Sequence, residues 1–297
     1  MSTQGEPLGR PEPWPAPGKL NLFLHVVGRR ADGYHLLQTA FQFIDLLDEI
    51  RFWRRPPGAI ERIGDLPGVP AESDLTIRAA RRLAVLTAPD HPGVAIEVRK
   101  RLPMQGGVGG GSSDAATVLV ALNELWNLGL KSAEIATIGV EFGADVPVFV
   151  HGQAAWAEGI GELLTPMDFP EPVFLLVQPD ATVSTAEVFK DPELTRDSPT
   201  IKIRDSLTTG GRNDCEPVVR RRFPVVAEAL DWLGQFGPAR LTGTGSCVFA
   251  VMPSDAAAHA ALDCVPARWN GHVVRGLNRS PLIGRLALER DVPGSGR

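Results

Sequence analysis

The segment Leu102-Pro103-Met104-Gln105-Gly106-Gly107-Val108-Gly109-Gly110-Gly111-Ser112-Ser113-Asp114 carries five glycines in the six positions 106–111. It follows an alternating apolar run at 94–98, which reads as a strand. It leads straight into a stretch where Val118, Leu119, Leu122, Leu125 and Trp126 recur at helical spacing. Backbone without Cβ atoms bends sharply and lets N–H groups approach an anion. The helix that follows adds its unpaired first N–H groups and the positive end of its dipole. With hydroxyls from Ser112 and Ser113, the arrangement reads as a polyphosphate cradle. It is not a Walker A loop, because no Lys precedes the serines, and it is not the dinucleotide fingerprint, whose third glycine is replaced by Ser112.

Working outward, residues 18–27 are β-rich and end at Gly28, residues 36–44 and 48–54 read as two further strands, and 73–87 reads as a helix with Ser73 as its N-cap. A second helix is expected over 132–142, after which Pro147 prevents continuation. A new pattern begins after Pro170: a buried strand at 173–177, a helix at 223–236, a Gly-Thr-Gly turn and strand within 241–251, an Ala-rich helix at 255–264 and a last strand at 271–275. Strands and helices alternate without a regular βα repeat, which predicts an α+β protein of two lobes divided near 166–172.

The 297 residues include 31 glycines and 26 prolines, a richness that raises disorder as a possibility, yet 43% are hydrophobic and 22% charged, as in a chain that buries a core. The glycines and prolines must therefore be concentrated at particular places. The net charge of −5 lacks the footprint of a general nucleic-acid binder. Three cysteines, Cys215, Cys247 and Cys264, without C-x-x-C spacing, argue against a disulfide framework or zinc site. Residues 1–10 have no apolar core of a secretory leader, and no run is long enough to span a bilayer. A cytoplasmic protein with no membrane partner is expected.

Several side chains stand out for chemistry. Lys19 and Asn21 are two apart on a strand and so share one face, a cation beside an amide. Asp145 sits among apolar neighbours, either as a site carboxylate or as the cap of a turn before Pro147. Tyr34, the sole tyrosine, adjoins His35; the pair could stack on a heterocycle or simply pack at a hairpin. Residues 242–246, Thr-Gly-Thr-Gly-Ser, form a second small-residue loop that could be a tight turn or an anion site.

Three segments together resemble the GHMP kinase superfamily: Pro17-Gly18-Lys19-Leu20-Asn21, residues 103–115 and residues 241–246. The likeness extends to Arg29-Arg30-Ala31-Asp32-Gly33-Tyr34-His35, to residues 143–149, to Phe189-Lys190-Asp191-Pro192-Glu193-Leu194 and to Asn213-Asp214-Cys215-Glu216, and covers nearly everything from 16 to 281. The glycine loop is specific to the superfamily. The Arg-Ala-Asp-Gly-Tyr-His run resembles that of the branch acting in non-mevalonate isoprenoid synthesis.

The resemblance implies ATP-dependent, Mg²⁺-assisted phosphorylation of the 2-hydroxyl of a cytidine-diphosphate-linked methylerythritol. It implies Lys19 and Asp145 as catalytic residues. The ATP loop would comprise Pro103, Gly106, Gly107, Val108, Gly109, Gly110, Gly111, Ser112 and Ser113, with Ser112 as a Mg²⁺ contact. Asn21, Tyr34, His35, Phe189 and Thr244 would bind the alcohol substrate, with the cytosine sandwiched and read by Tyr34, His35 and Phe189. The implied fold is an N-terminal domain like one of ribosomal protein S5 over 14–168 and a ferredoxin-like C-terminal domain over 169–290, between flexible tails at 1–13 and 291–297. Two departures bear on the nucleotide. Gln105 replaces a small residue, so its side chain is expected to point away from the phosphates, and Asp74 replaces the commoner Asn.

Overall fold

A computed structural model describes residues 5–86, 92–203 and 211–291. The spine is one 21-residue strand, β2 (His35–Arg55), where the sequence suggested two. Asp45, Leu46 and Leu47 include no glycine or proline, and the strand runs through them. Along one edge lies antiparallel β1 (Trp14–Arg29), paired from Trp14↔Ile50 to Arg29↔His35 with three register shifts. The other edge is shared in turn by β5 (Ala155–Glu158) at 39–41, β10 (Asn270–Leu277) at 43–44 and β4 (Gly93–Arg99) at 49–55. Beyond β4 lies parallel β3 (Ile60–Ile63), and β5 carries β6 (Leu163–Pro166). Through β10 the sheet continues antiparallel into β7 (Val173–Gln178), β9 (Val248–Met252) and β8 (Ala239–Leu241).

The helices fall into two groups. α1 (Leu75–Ala84), α2 (Gly110–Leu125), α3 (Ser132–Gly139) and α4 (Val146–His151) enclose a first core containing Phe41, Phe43, Val118, Leu119 and Phe149. α5 (Thr185–Lys190), α6 (Glu216–Arg222), α7 (Pro224–Leu233) and α8 (Asp255–Leu262) belong with β7–β9 and a second core around Leu175, Val219 and Leu230. A third cluster of Leu20, Ile44, Val108, Phe174, Cys247 and Phe249 joins the two. The α+β architecture is as expected.

Chain division and packing do not follow the same line. Leu24 and Val26 of β1 sit in the second core, while Leu282 of the last helix, α9 (Pro281–Arg290), sits in the first. Residues 5–13, read as part of a loose tail, lie against the body: Leu8 is buried, its N–H donates to Phe52 O at 2.9 Å, and Arg10 N–H donates to Glu289 at 3.1 Å. Arg285 adds donors to Arg10 O and Glu12 O, so this proline-rich stretch is tied to the last helix as well as to β2.

Local signals were partly misread. The N-cap of α1 is Asp74, whose Oδ1 accepts from Thr76 N–H at 2.9 Å, and Ser73 instead donates to Pro70 O. Residue 87, the expected helix end, lies outside the described residues. The helix expected at 223–236 is split from α6 at Phe223, because Pro224 disfavours helical backbone in the residue before it.

Candidate active site

The loop at 106–111 is held closely against its surroundings. A Cβ at Gly107 (φ +76°) would stand 2.2 Å from Thr242 O, and one at Gly109 (φ +75°) would stand 2.9 Å from the Phe149 ring and 3.1 Å from Lys19 Cε. Both positions therefore require glycine twice over, for conformation and for space. Val108 is sealed in the inter-lobe cluster and its carbonyl accepts from Lys19 N–H at 2.9 Å. Gly109 caps α2, and the first helical bond runs from Ser113 N–H to Gly109 O at 2.8 Å. The N–H groups of Gly110, Gly111 and Ser112 thus precede the ladder, at the positive end of a helix with no acidic residue in its first turn.

These groups border a cleft of about 620 Å³, which Pro103, Gln105, Gly106, Gly107, Gly109, Ser112 and Lys100 help to line. Ser112 Oγ lies near the 143–145 turn, 3.4 Å from where a Cβ on Gly143 would stand. Ser113 does not meet the expectation, since its hydroxyl is buried and its N–H is spent on Gly109. Gln105 borders this cleft and a smaller cavity beside it, with a left-handed backbone (φ +53°).

Lys19 is almost fully buried. Its Nζ stands 3.1 Å from Asp145 Oδ2, donates to Asn21 Oδ1 at 2.5 Å and lies over the Phe41 ring at 5.0 Å. The shared face of Lys19 and Asn21 is borne out, because Leu20 between them points into the inter-lobe core. Asn21 Nδ2 donates to Thr39 Oγ1 at 2.9 Å, and Asn21 N–H to Thr242 Oγ1 at 3.0 Å. Asp145 stands at the N-terminus of α4 without using its side chain as a cap, and remains about one-third exposed. This leaves its carboxylate open to a ligand.

The 242–246 loop closes the other side. Thr242 Oγ1 donates to Gly107 O at 3.2 Å, and Cys247 N–H donates to Gly106 O at 3.1 Å, so the two small-residue loops are stitched together. Asn213 donates to Leu241 O and Gly243 O at 2.9 and 2.7 Å. Thr244 is not brought beside Tyr34. Its hydroxyl meets Thr185 Oγ1 at 2.8 Å, and it lines the smaller cavity of about 360 Å³ with Gln105 and Gly107.

A second large cavity, about 810 Å³, is lined by Tyr34, His35, Phe189, Gly143, Ala144 and Arg29, among others. Tyr34 is 62% exposed. His35 stacks on Phe189 with ring centroids 4.9 Å apart and 29° between planes. Burial, reinforced by the Arg196 and Arg29 cations, lowers the His35 pKa, favouring a neutral ring. Lys19 borders the loop of the first cleft through Gly109, and Asp145 follows Ala144 of the second. Ser112 of the first cleft and Gly143 of the second are neighbours in space, so the two spaces meet beside the turn that carries Asp145.

Sequence reasoning passed over Lys100, Asp48, Asp114 and Arg196. Lys100 Nζ pairs with Asp48 and, at 2.7 Å, with Asp114 of α2. Burial pushes the Asp114 carboxyl up to about 7, opposed by Lys100 and assisted by Asp48. No spacing links these three; the pairing of β2 with β4 brings Lys100 to Asp48, and the packing of α2 adds Asp114. Among the described residues no group of His, Cys, Asp and Glu could hold a metal by itself. The described cysteines are all free, with Cys215 and Cys247 buried, and no described helix is long and apolar enough to cross a membrane.

This fold, with a glycine loop at a helix N-terminus facing a Lys–Asp pair, is that of a small-molecule kinase, and the chain belongs to the GHMP kinase family. The family's N-terminal domain matches residues 74–153 and its C-terminal domain residues 200–271. A protein of Nitrosococcus oceani named 4-diphosphocytidyl-2-C-methyl-D-erythritol kinase is 58% identical over 92% of this chain and 97% of its own length. A protein of the same name from Pseudomonas aeruginosa is 54% identical, over 92% and 96%. A crystal structure of 4-(cytidine 5'-diphospho)-2C-methyl-D-erythritol kinase superposes with a TM-score of 0.76 at 30% identity, covering 88% of this chain and 98% of that one. A mevalonate kinase structure reaches 0.65 at 17% identity, over 90% and 99%, a likeness of fold.

Proposed function

We propose that this chain transfers the terminal phosphoryl group of ATP to the 2-hydroxyl of 4-diphosphocytidyl-2-C-methyl-D-erythritol, as a cytoplasmic enzyme of isoprenoid precursor synthesis. The observation that carries the reading is the Lys19–Asp145 pair, 3.1 Å apart, between a glycine-loop cleft and a cavity bearing Tyr34, His35 and Phe189. Kinship with the 4-diphosphocytidyl-2-C-methyl-D-erythritol kinases supports the choice of alcohol.

Phosphoryl transfer asks the protein for position and charge more than for covalent chemistry. The N–H groups of Gly110, Gly111 and Ser112 would receive phosphate oxygens at the α2 dipole. Asp145 would accept the proton of the attacking hydroxyl as the new O–P bond forms and the β–γ bridge bond breaks to release ADP. Lys19, held by Asn21, would stabilise charge on the alcohol oxygen. Mg²⁺ is usually held by substrate phosphates and retained waters with only one or two protein groups, so a dedicated protein cage is not required; Ser112 Oγ, at the cleft beside the 143–145 turn, would be one such ligand. Bound there, the ion would neutralise phosphate charge.

The test is ADP release by the purified chain with ATP, Mg²⁺ and 4-diphosphocytidyl-2-C-methyl-D-erythritol, beside mevalonate, homoserine and galactose. Phosphorus NMR should show a new phosphate monoester on the cytidine substrate alone. Faster turnover of any of the three simpler alcohols would overturn the assignment.

A further inference from the structure

Arg196 ties together two segments of the Tyr34–Phe189 cavity. Its Nη1 donates to Leu194 O at 3.0 Å, and its Nη2 donates to Phe189 O at 2.9 Å and Asp191 O at 2.7 Å. The guanidinium therefore gathers the carbonyls around the end of α5, the helix that carries Phe189. Its Nε–H points across the cavity wall to His35 Nε2 at 3.1 Å.

That last bond decides the chemistry of the imidazole. A guanidinium has no acceptor, so the contact is satisfied only by a lone pair on Nε2. A neutral ring with a lone pair on Nε2 carries its proton on Nδ1. Stacking on Phe189 fixes the ring plane. Nδ1 has no hydrogen-bond partner among the described residues, and His35 lines the cavity. The lowered pKa of His35 agrees with a neutral ring.

We propose that Arg196 is a specificity-determining positioning residue, which by occupying His35 Nε2 makes Nδ1–H a fixed hydrogen-bond donor toward the acceptor edge of a cytosine base. Cytosine presents N3 and O2 as adjacent acceptors, whereas uracil carries a proton on N3. A fixed donor is matched by the first and opposed by the second. An imidazole free to change tautomer would serve either. The inference rests on the cytidine-substrate reading, but its first readout does not depend on catalysis.

Two-bond proton–nitrogen NMR of the ¹⁵N-histidine-labelled full chain should show His35 as the Nδ1–H tautomer, and Arg196→Met should move it toward Nε2–H with a raised pKa. In the same variant the preference for the cytidine substrate over its uridine analogue should fall roughly tenfold, the scale of one hydrogen bond, with KM for ATP unchanged. Gln at 35 can donate whatever its neighbour does, so in His35→Gln the added Arg196→Met change should leave base preference as it was. If Arg196→Met does not fold, the wild-type spectrum and Arg196→Lys, which retains a cation, still decide. A wild-type Nε2–H tautomer overturns the proposal, as does an Arg196→Met enzyme with unaltered base preference. Calorimetry with CDP and UDP separates the two readings. A CDP preference without kinase activity would overturn the phosphotransfer and leave this inference standing, while equal binding of CDP and UDP would overturn this inference.

Discussion

Lys19 Nζ lies 3.1 Å from Asp145 Oδ2, joining strand β1 to the start of helix α4 directly behind Gly109 of the glycine loop. The cation is buried and further held by Asn21 and the Phe41 ring, while the carboxylate keeps about one-third of its surface open. A fixed partner and an accessible acid are what a proton acceptor for an incoming hydroxyl requires.

Replacing Asp145 by Ala should lower kcat by roughly 10²- to 10⁴-fold, the usual range for a general base. ATP affinity should stay nearly intact, because the phosphates would be held by backbone N–H groups of the glycine loop and α2 that the substitution does not remove. Steady-state kinetics with calorimetric ATP titration measure both, and near-normal turnover would remove Asp145 from the chemistry.

Tyr34 is an exposed aromatic of the cavity proposed to receive the base. Stacking on a base is worth about 1–3 kcal/mol, so Tyr34→Ala should raise KM for the cytidine substrate by roughly tenfold or more. KM for ATP, which belongs to the other cleft, should stay as it is. Equal effects on the two would detach Tyr34 from base recognition.

Gly107 and Gly129 both have positive φ, +76° and +70°, but a Cβ at Gly107 meets Thr242 O at 2.2 Å and one at Gly129 meets nothing within 4 Å. Gly129→Ala should cost only the left-handed penalty of about 1–2 kcal/mol. Gly107→Ala should cost more and raise KM for ATP, because the 242–246 loop must move. Equal losses in thermal unfolding, with ATP kinetics unaltered, would show that the contact between the loops does not shape the site.

Asp114 holds its proton up to about 7 in the folded chain, against 3.8 for an ordinary aspartate, chiefly because it is buried. Between those values the folded state binds more protons than the unfolded one, so this group's contribution to stability falls as pH rises through the window. Asp114→Asn cannot titrate. Its stability relative to wild type should therefore climb by at least ~1 kcal/mol from pH 4 to 7 and level off above. Denaturant melts at several pH values measure this, and a constant difference would show that Asp114 ionises normally.

Much of the site was readable because its chemistry depends on local backbone. The glycine loop, the Lys19–Asn21 face and the Tyr34–His35 turn each declare themselves within a few residues. The orientation of Thr244 was not legible, because a threonine inside a Gly-Thr-Gly turn does not reveal which way the turn faces; the loop directs it to Thr185 and presents Thr242 to Asn21. Ser113 misled because one residue of helical rotation separates a hydroxyl at the cleft from one sealed in the core. Asp48 and Lys100 stand 52 residues apart, and no pattern in the chain connects them.

The α+β class, the glycine turn of residues 106–111 leading into a helix and the kinship with GHMP kinases were determined by sequence alone, since turn chemistry, helical periodicity and short motifs are local properties. Tertiary structure decided which loop touches which. It placed Asp145 at Lys19, closed residues 242–246 over Gly107, seated the last helix in the first core, and set Arg196 against His35. The physical reason is that each of these contacts joins segments far apart in the chain, and they are brought together by the long strand β2 and the buried seam between the lobes.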